Sequence, residues 1–143
     1  MLTYLCRTMK PDPTLADRVA AVRILREHHV WAAARSFAAV DDRSSPARRR
    51  FRSLMAADAL LDAVMLLAQS AEPPRAIDTL ARHDGRWHCA MRAGLSRRSH
   101  KADHADLSAA VLMALLKTFP RSSRRRASRT STLQTIGSSL HDH

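Results

Sequence analysis

Cysteine is scarce in this chain, and so are the aromatic residues. Its two cysteines, Cys6 and Cys89, lie far apart in the sequence. Two distant cysteines without a secretory leader do not indicate a disulfide framework, so both are interpreted as free thiols. Aromatic residues make up 4% of the chain, which favours an aliphatic and helical core.

Long hydrophobic runs are also missing. The first ten residues, MLTYLCRTMK, have no extended apolar stretch because Arg7 interrupts them, so they do not resemble a secretory signal peptide. Asp58 and Asp62 interrupt the best internal candidate before it reaches the roughly 18 uncharged residues of a membrane span. We therefore expect a cytoplasmic protein with no membrane partner.

Basic residues, by contrast, are abundant. Lys and Arg number 24 against 13 Asp and Glu, for a formal net charge of +11. The charge is most concentrated in the Ser- and Arg-rich segment 121–143. A basic balance favours acidic partners such as nucleic acid. An arginine skew also arises from GC-rich coding sequence without selection for any ligand, so the charge does not specify the partner.

A chain of 143 residues suits one domain. We predict a short leader at 1–13, a globular domain at 14–120 and a disordered tail at 121–143, whose composition cannot offset the entropy lost on ordering. The domain is expected to be α+β and mainly helical, with a small helical core and one short β-hairpin.

Apolar periodicity predicts three helical segments. Residues 14–40 read as a bent helix, or as two short helices joined near His28–His29. Residues 47–70 are apolar almost all round the helical wheel, which is typical of a helix buried on most sides. Residues 104–119 form a second strongly apolar helix.

Local signals predict where two of these helices begin. Ser45 is a candidate N-cap, with Pro46 at the first helical position of the buried helix. Asp103 is a candidate N-cap of the last helix, and Asp106 adds negative charge to its first turn.

The stretch HDGRWHC, residues 83–89, gathers the most reactive side chains. Asp84 and Gly85 suit a two-residue hairpin turn, because both tolerate positive φ. Three apolar side chains beyond the turn alternate as in a strand: Trp87, Cys89 and Met91. The upstream arm, 75–82, reads either as a strand or as a short helix. We favour a hairpin over 75–92.

A metal site is one possible use of this stretch. His83, His88 and Cys89 could join His100 and His104, since zinc accepts imidazole and thiolate ligands. Adjacent strand residues point to opposite faces, however, so His88 and Cys89 cannot easily bind one ion. The zinc spacings C-x-x-C and H-E-x-x-H are also missing. We therefore expect a turn, with no metal and no cofactor.

Two further features of the sequence allow a catalytic interpretation, but a structural one is favoured for both. Cys89 could be a nucleophile activated by Arg86 or Arg92, but its alternating apolar neighbours indicate a buried thiol. Asp58 and Asp62 lie one helical turn apart and could form a carboxylate pair, although structural ion pairing is more common. The expected ion-pair partners are arginines of the first helical segment: Arg18, Arg23 and Arg26.

Arginine runs are the remaining candidate site. Arginine binds phosphate bidentately, so these runs could contact an anion or nucleic acid, although no recognised nucleic-acid motif accompanies them. The residues concerned are Arg48, Arg49, Arg50, Arg97, Arg98, Arg124, Arg125 and Arg126.

The sequence thus favours a small non-enzymatic binding or regulatory protein that acts through protein–protein contacts. Two helices that are apolar all round exceed what a small monomer easily covers, so a protein partner or a homodimer is expected. The alternative is a nucleic-acid-associated protein that contacts phosphates through the arginine runs.

Overall fold

The structure, a computed structural model, describes residues 12–120. It contains five helices, a three-stranded antiparallel sheet and a sixth helix. The elements are α1 (Leu15–Ala21), α2 (Glu27–Ala34), α3 (Ala38–Asp41), α4 (Pro46–Ala56), α5 (Leu60–Ser70), β1 (Arg75–His83), β2 (Arg86–Ala93), β3 (Ser99–His104) and α6 (Leu107–Lys117). The α+β, mainly helical fold is therefore confirmed. The predicted tail at 121–143 lies outside the described residues, as does the predicted leader apart from its last two positions.

The first helical segment is divided earlier than its periodicity predicts. The prediction of a junction at His28–His29 is wrong, because both histidines lie inside α2. The break falls at 22–26, where the chain makes long-range hydrogen bonds. The Leu25 amide donates to the Asp106 carboxylate at 2.9 Å. These tertiary bonds replace the helical bonds that local periodicity assumes.

The predicted helix over 47–70 is two helices, α4 and α5. Asp58 interrupts it with a φ of 56°, a left-handed conformation that Asp adopts more readily than most residues. The predicted start is confirmed, since the Ser45 hydroxyl accepts from the Arg48 amide at 3.0 Å and Pro46 occupies the first turn.

The predicted hairpin is confirmed, and residues 75–83 form a strand. Asp84 and Gly85 have φ values of 53° and 74°, as a two-residue type I′ turn requires. The sheet order is β1-β2-β3, with both pairs antiparallel. Opposite Met91–Ala90, β1 contains a bulge around Asp78.

The third strand was not predicted. The sequence predicts a hairpin that ends at 92 and a helix over 104–119, whereas β3 occupies 99–104 and α6 begins at Leu107. Asp103 therefore does not cap the helix, because it lies in β3 and accepts from Arg86 Nε at 2.8 Å. Asp106 is the N-cap residue instead.

The core lies between the sheet and the helices. Helix α6 packs on β2, β3, α1 and α5, and every side chain from Ala109 to Leu116 is buried. This apolar helix is thus covered within the chain, so it does not by itself require a partner. No helix of residues 12–120 combines the length and hydropathy that crossing a membrane needs.

The hairpin turn yields the first testable prediction. Gly85→Val should lower the free energy of unfolding by about 1–3 kcal/mol, because a β-branched residue is strained at positive φ. A Cβ at this position meets no atom within 4 Å, so the cost is conformational. Gly85→Asn is the control, since Asn tolerates this region. Equal losses for both variants in urea unfolding would contradict the prediction.

Candidate functional site

Cys89 lies on the inner face of β2 and is 1% exposed. Burial raises the pKa of its thiol to about 11, so the thiol is protonated at neutral pH and is a poor nucleophile. His88, the next residue, is exposed and lies on the outer face of the sheet. The structure thus places Cys89 as a core residue.

The histidines considered as zinc ligands also lie on different faces of the sheet. The rings of His83 and His88 lie 6.4 Å apart on the exposed side of the hairpin. His100 is half-buried; burial lowers its pKa, and the charges of Arg98 and Arg75 lower it further. Within residues 12–120, no three His, Cys, Asp or Glu side chains are grouped to hold a metal ion.

His104 has a structural position in the core. Its Nε2 lies 2.8 Å from the Val22 carbonyl and 3.2 Å from the Val19 carbonyl, and its Nδ1 accepts from the Asp106 amide at 2.8 Å. One ring nitrogen must therefore donate and the other accept, which fixes a neutral ring protonated at Nε2. The ring ties the start of α6 to the end of α1.

Asp58 and Asp62 line an open groove of about 330 Å³ beside Ile24 and Asp106. Neither carboxylate forms a salt bridge with Arg18, Arg23 or Arg26, so the predicted pairing is wrong. Arg18 instead pairs with Asp12 at 3.3 Å.

Another histidine, His29, is buried at the start of α2. Its Nδ1 accepts from the Arg26 amide at 3.1 Å. Burial is the main cause that lowers the pKa of His29, and the charges of His28 and Arg18 add to it. Protonation would charge a buried ring and remove its acceptor, so the neutral ring is the native form.

This lowered pKa predicts a pH dependence of stability. The unfolded chain binds a proton at His29 near pH 6.5, whereas the folded chain does so only at lower pH. The stability contributed by the neutral ring is therefore present above pH 6.5 and is lost as pH falls below it. The melting temperature should decrease as pH falls below about 6.5, and His100, whose pKa is also lowered, should add to the decrease.

His29→Gln should flatten this dependence, because Gln supplies an acceptor at the same helix position without titrating. His88→Gln, at an exposed position, is the control and should leave the slope unchanged. Aspartates with lowered pKa values, such as Asp103, act only nearer pH 4 and below. An unchanged slope in His29→Gln would contradict the assignment.

The predicted phosphate-binding arginines fall on two different elements. Arg48 packs over the Trp31 ring at 5.2 Å and donates to the Val40 carbonyl at 3.4 Å, so it stabilises the helical layer. The other described arginines of the set are exposed and form no salt bridge within residues 12–120: Arg49 and Arg50 on α4, and Arg97 and Arg98 between β2 and β3. Arg124, Arg125 and Arg126 lie outside the described residues.

The two outer strands of the sheet differ in how their edges are covered. On β3, the Lys117 ammonium donates to the Lys101 carbonyl at 2.9 Å, and Arg86 donates to the Asp103 carbonyl at 3.3 Å. Side chains that occupy edge carbonyls protect a strand from further pairing. The β3 edge is therefore blunted.

The β1 edge carries no such cover in the described residues. It is nine residues long, and its side chains from Asp78 to His83 are all exposed. Among residues 12–120, no hydrogen bond from outside the sheet reaches the backbone of Thr79–His83. An open edge of this length is a template for pairing with another strand. This edge could not be recognised from the sequence, because strand order is needed to know which strand is outermost.

The loop between β2 and β3, residues 94–98, is the second exposed feature. Leu95 is 102% exposed, the most exposed of the large hydrophobic residues in the described part. Arg97 and Arg98 follow it and are exposed as well. The loop therefore presents one apolar side chain beside two cations.

Comparisons of the chain with protein-family models, curated proteins and solved structures returned no match. The β1 edge and the loop 94–98 are the two exposed features of residues 12–120 that suit contact with a partner.

Proposed function

We propose that this chain is a non-enzymatic binding protein that acts through protein–protein contacts and receives an extended segment of its partner along β1. The observation that carries the proposal is the edge of β1, which no other part of residues 12–120 covers, in contrast to the blunted edge of β3. Strand addition to an open edge is a recurring mode of peptide recognition. The partner is another protein or a second copy of the chain.

The hairpin geometry indicates which backbone groups face the open side. In a type I′ turn the His83 carbonyl accepts from the Arg86 amide, so His83 directs its backbone groups toward β2. Backbone direction alternates along a strand. Leu80 and Arg82 therefore direct their amides and carbonyls away from the sheet, where a partner strand can pair with them.

Side chains on this edge can add specificity. Leu80 lies opposite Cys89 on the inner face and is 40% exposed, so it offers apolar surface to a partner residue. Arg82 extends over the Trp87 ring at 5.8 Å and keeps that end of the edge basic. Main-chain bonds supply affinity in this mode, while alternate side chains select the sequence.

Arg82→Pro tests the edge directly. Proline removes the outward amide and leaves the β1–β2 ladder intact, because the Arg82 amide does not face β2. Arg82→Ala is the matched control, since it removes the same side chain and keeps the amide. Partner proteins are captured by crosslinking in the native host. The captured material is treated with nuclease to remove nucleic acid, and the proteins that remain are quantified. Self-association is measured by light scattering.

We expect the same protein contacts for the wild type and Arg82→Ala, and their loss in Arg82→Pro. Melting temperatures verify that both variants fold. Equal contacts for all three proteins would contradict pairing at the β1 edge. Loss in both variants would assign the contact to the arginine side chain instead.

Other properties of the chain support a non-enzymatic role in the cytoplasm. The Cys89 thiol is buried and protonated at neutral pH, which suits a structural cysteine in a reducing compartment. The proposal includes no cofactor and no membrane partner.

A nucleic-acid-associated function is the second candidate. The observation that favours it is the pair of exposed arginines, Arg97 and Arg98, on a chain with net charge +11. Arg49 and Arg50 offer further exposed cations on α4. Contacts of this kind bind phosphates regardless of base sequence.

A further inference from the structure

Two backbone hydrogen bonds shape the start of the loop 94–98. The Gly94 amide donates to the Pro74 carbonyl at 2.9 Å, and the Ser96 amide donates to the Ala93 carbonyl at 3.0 Å. Gly94 has a φ of 54°, and a Cβ there would lie 3.0 Å from the Pro73 side chain. The turn is thus anchored at Gly94 to the segment before β1, and Leu95 is exposed to solvent.

A single exposed leucine is common on protein surfaces. Here its neighbours in the chain are the cations Arg97 and Arg98, and the Arg98 amide donates to the Ser96 hydroxyl at 3.2 Å within the same loop. Arg98 also lies close enough to His100 to lower its pKa. No carboxylate within residues 12–120 forms a salt bridge with either arginine.

We propose that the loop 94–98 contacts duplex DNA, with Leu95 inserted into the minor groove and Arg97 and Arg98 on the flanking phosphates. This inference rests on the nucleic-acid candidate above. Apolar wedges such as leucine enter the minor groove in several DNA-binding proteins, and arginine is favoured beside them. The loop 94–98 carries these two components, since Leu95 is the apolar wedge and the two arginines that follow can bind phosphates.

The chemistry favours a duplex over a single strand. Proteins that bind single strands stack bases on exposed aromatic rings. The aromatic rings of the described residues are instead engaged within the fold: Trp31 with Phe51, Phe37 with Phe119, and Trp87 with Arg82. Duplex RNA fits less well, because its shallow minor groove would place 2′-hydroxyls against leucine.

The test measures binding of the full chain to a labelled 20-base-pair DNA duplex by fluorescence anisotropy between 50 and 200 mM KCl. Arg97→Ala/Arg98→Ala should weaken binding at least tenfold and reduce the salt slope by about two, one counterion per phosphate contact. Leu95→Ala should weaken binding about three- to tenfold at every salt concentration, with no change in slope.

Two matched controls separate the loop from charge and from general hydrophobicity. Arg23→Ala/Arg43→Ala removes the same charge from exposed positions, and Ile24→Ala truncates an aliphatic side chain that is 62% exposed. Neither control should change affinity more than twofold. Unchanged melting temperatures verify folding in every variant.

The other possible results each contradict a different part of the proposal. Binding by the wild type that the loop variants retain would overturn the loop assignment and leave the nucleic-acid candidate standing. No binding by the wild type at any salt concentration would overturn both. Equal losses of affinity in Arg97→Ala/Arg98→Ala and in Arg23→Ala/Arg43→Ala would show that binding depends on net charge and not on the loop. Tighter binding to a single strand or to duplex RNA would overturn the minor-groove assignment.

Discussion

Leu67→Ala should lower the free energy of unfolding by about 2–5 kcal/mol, enough to unfold a domain of marginal stability. Leu67 is fully buried in α5, between the sheet and the other helices. Truncation removes its apolar contacts and leaves a cavity that the surrounding core cannot fill without moving. Urea unfolding of the full chain measures the loss.

Leu61→Ala provides the matched control from the same helix. Leu61 is only half-buried, at the rim of the groove beside Asp58, so water replaces part of the lost contact. Its loss should be clearly smaller than that of Leu67→Ala, and exposed Arg43→Ala should change stability by less than about 0.5 kcal/mol. Similar effects from all three variants would show that the core is placed wrongly.

The sequence predicts an element well where a local signal decides the conformation. The Asp84–Gly85 turn follows from the backbone preferences of those two residues, and Ser45–Pro46 starts α4 through one hydrogen bond within a single turn. Neither feature depends on the rest of the fold. The α+β class was therefore accessible from the sequence.

The missed elements depend on distant residues. The strand β3 reads SHKADH, a polar hexapeptide without a β-branched residue, and it is a strand because β2 offers a partner edge. Tertiary pairing overrides propensity in such segments. The break at 22–26 has the same origin, because its hydrogen-bond partners, Asp106 and His104, lie at the other end of the domain.

The candidate site was predictable only in part. Arg97 and Arg98 are recognisable in the sequence as a basic pair, but their exposure in a loop whose first residue, Gly94, is anchored to Pro74 depends on the tertiary structure. The open edge of β1 depends on strand order and on side chains from α6 and β2 that cover β3 instead. Composition and periodicity carry no information about either.

His104→Ala should lower the free energy of unfolding by roughly 2–4 kcal/mol, because it leaves buried polar groups without partners. The Asp106 amide would lose its acceptor and the Val22 carbonyl its donor, while the Val19 carbonyl would keep only the Val22 amide. The loss of stability should also be measurable at individual amides near the ring. Amide hydrogen exchange should accelerate at Asp106 and at Leu25, whose amide donates to the Asp106 carboxylate.

His104→Asn separates the two ends of this link. The Asn side-chain oxygen can replace Nδ1 as acceptor for the Asp106 amide, but the shorter side chain cannot reach the Val22 carbonyl. Its stability should therefore lie between those of the wild type and His104→Ala, with exchange at Asp106 restored. His88→Ala removes an exposed imidazole from the same sheet and should change stability by less than about 0.5 kcal/mol. If His104→Ala were as mild as His88→Ala, the ring would not hold α6 to the end of α1, and the break at 22–26 would need another cause.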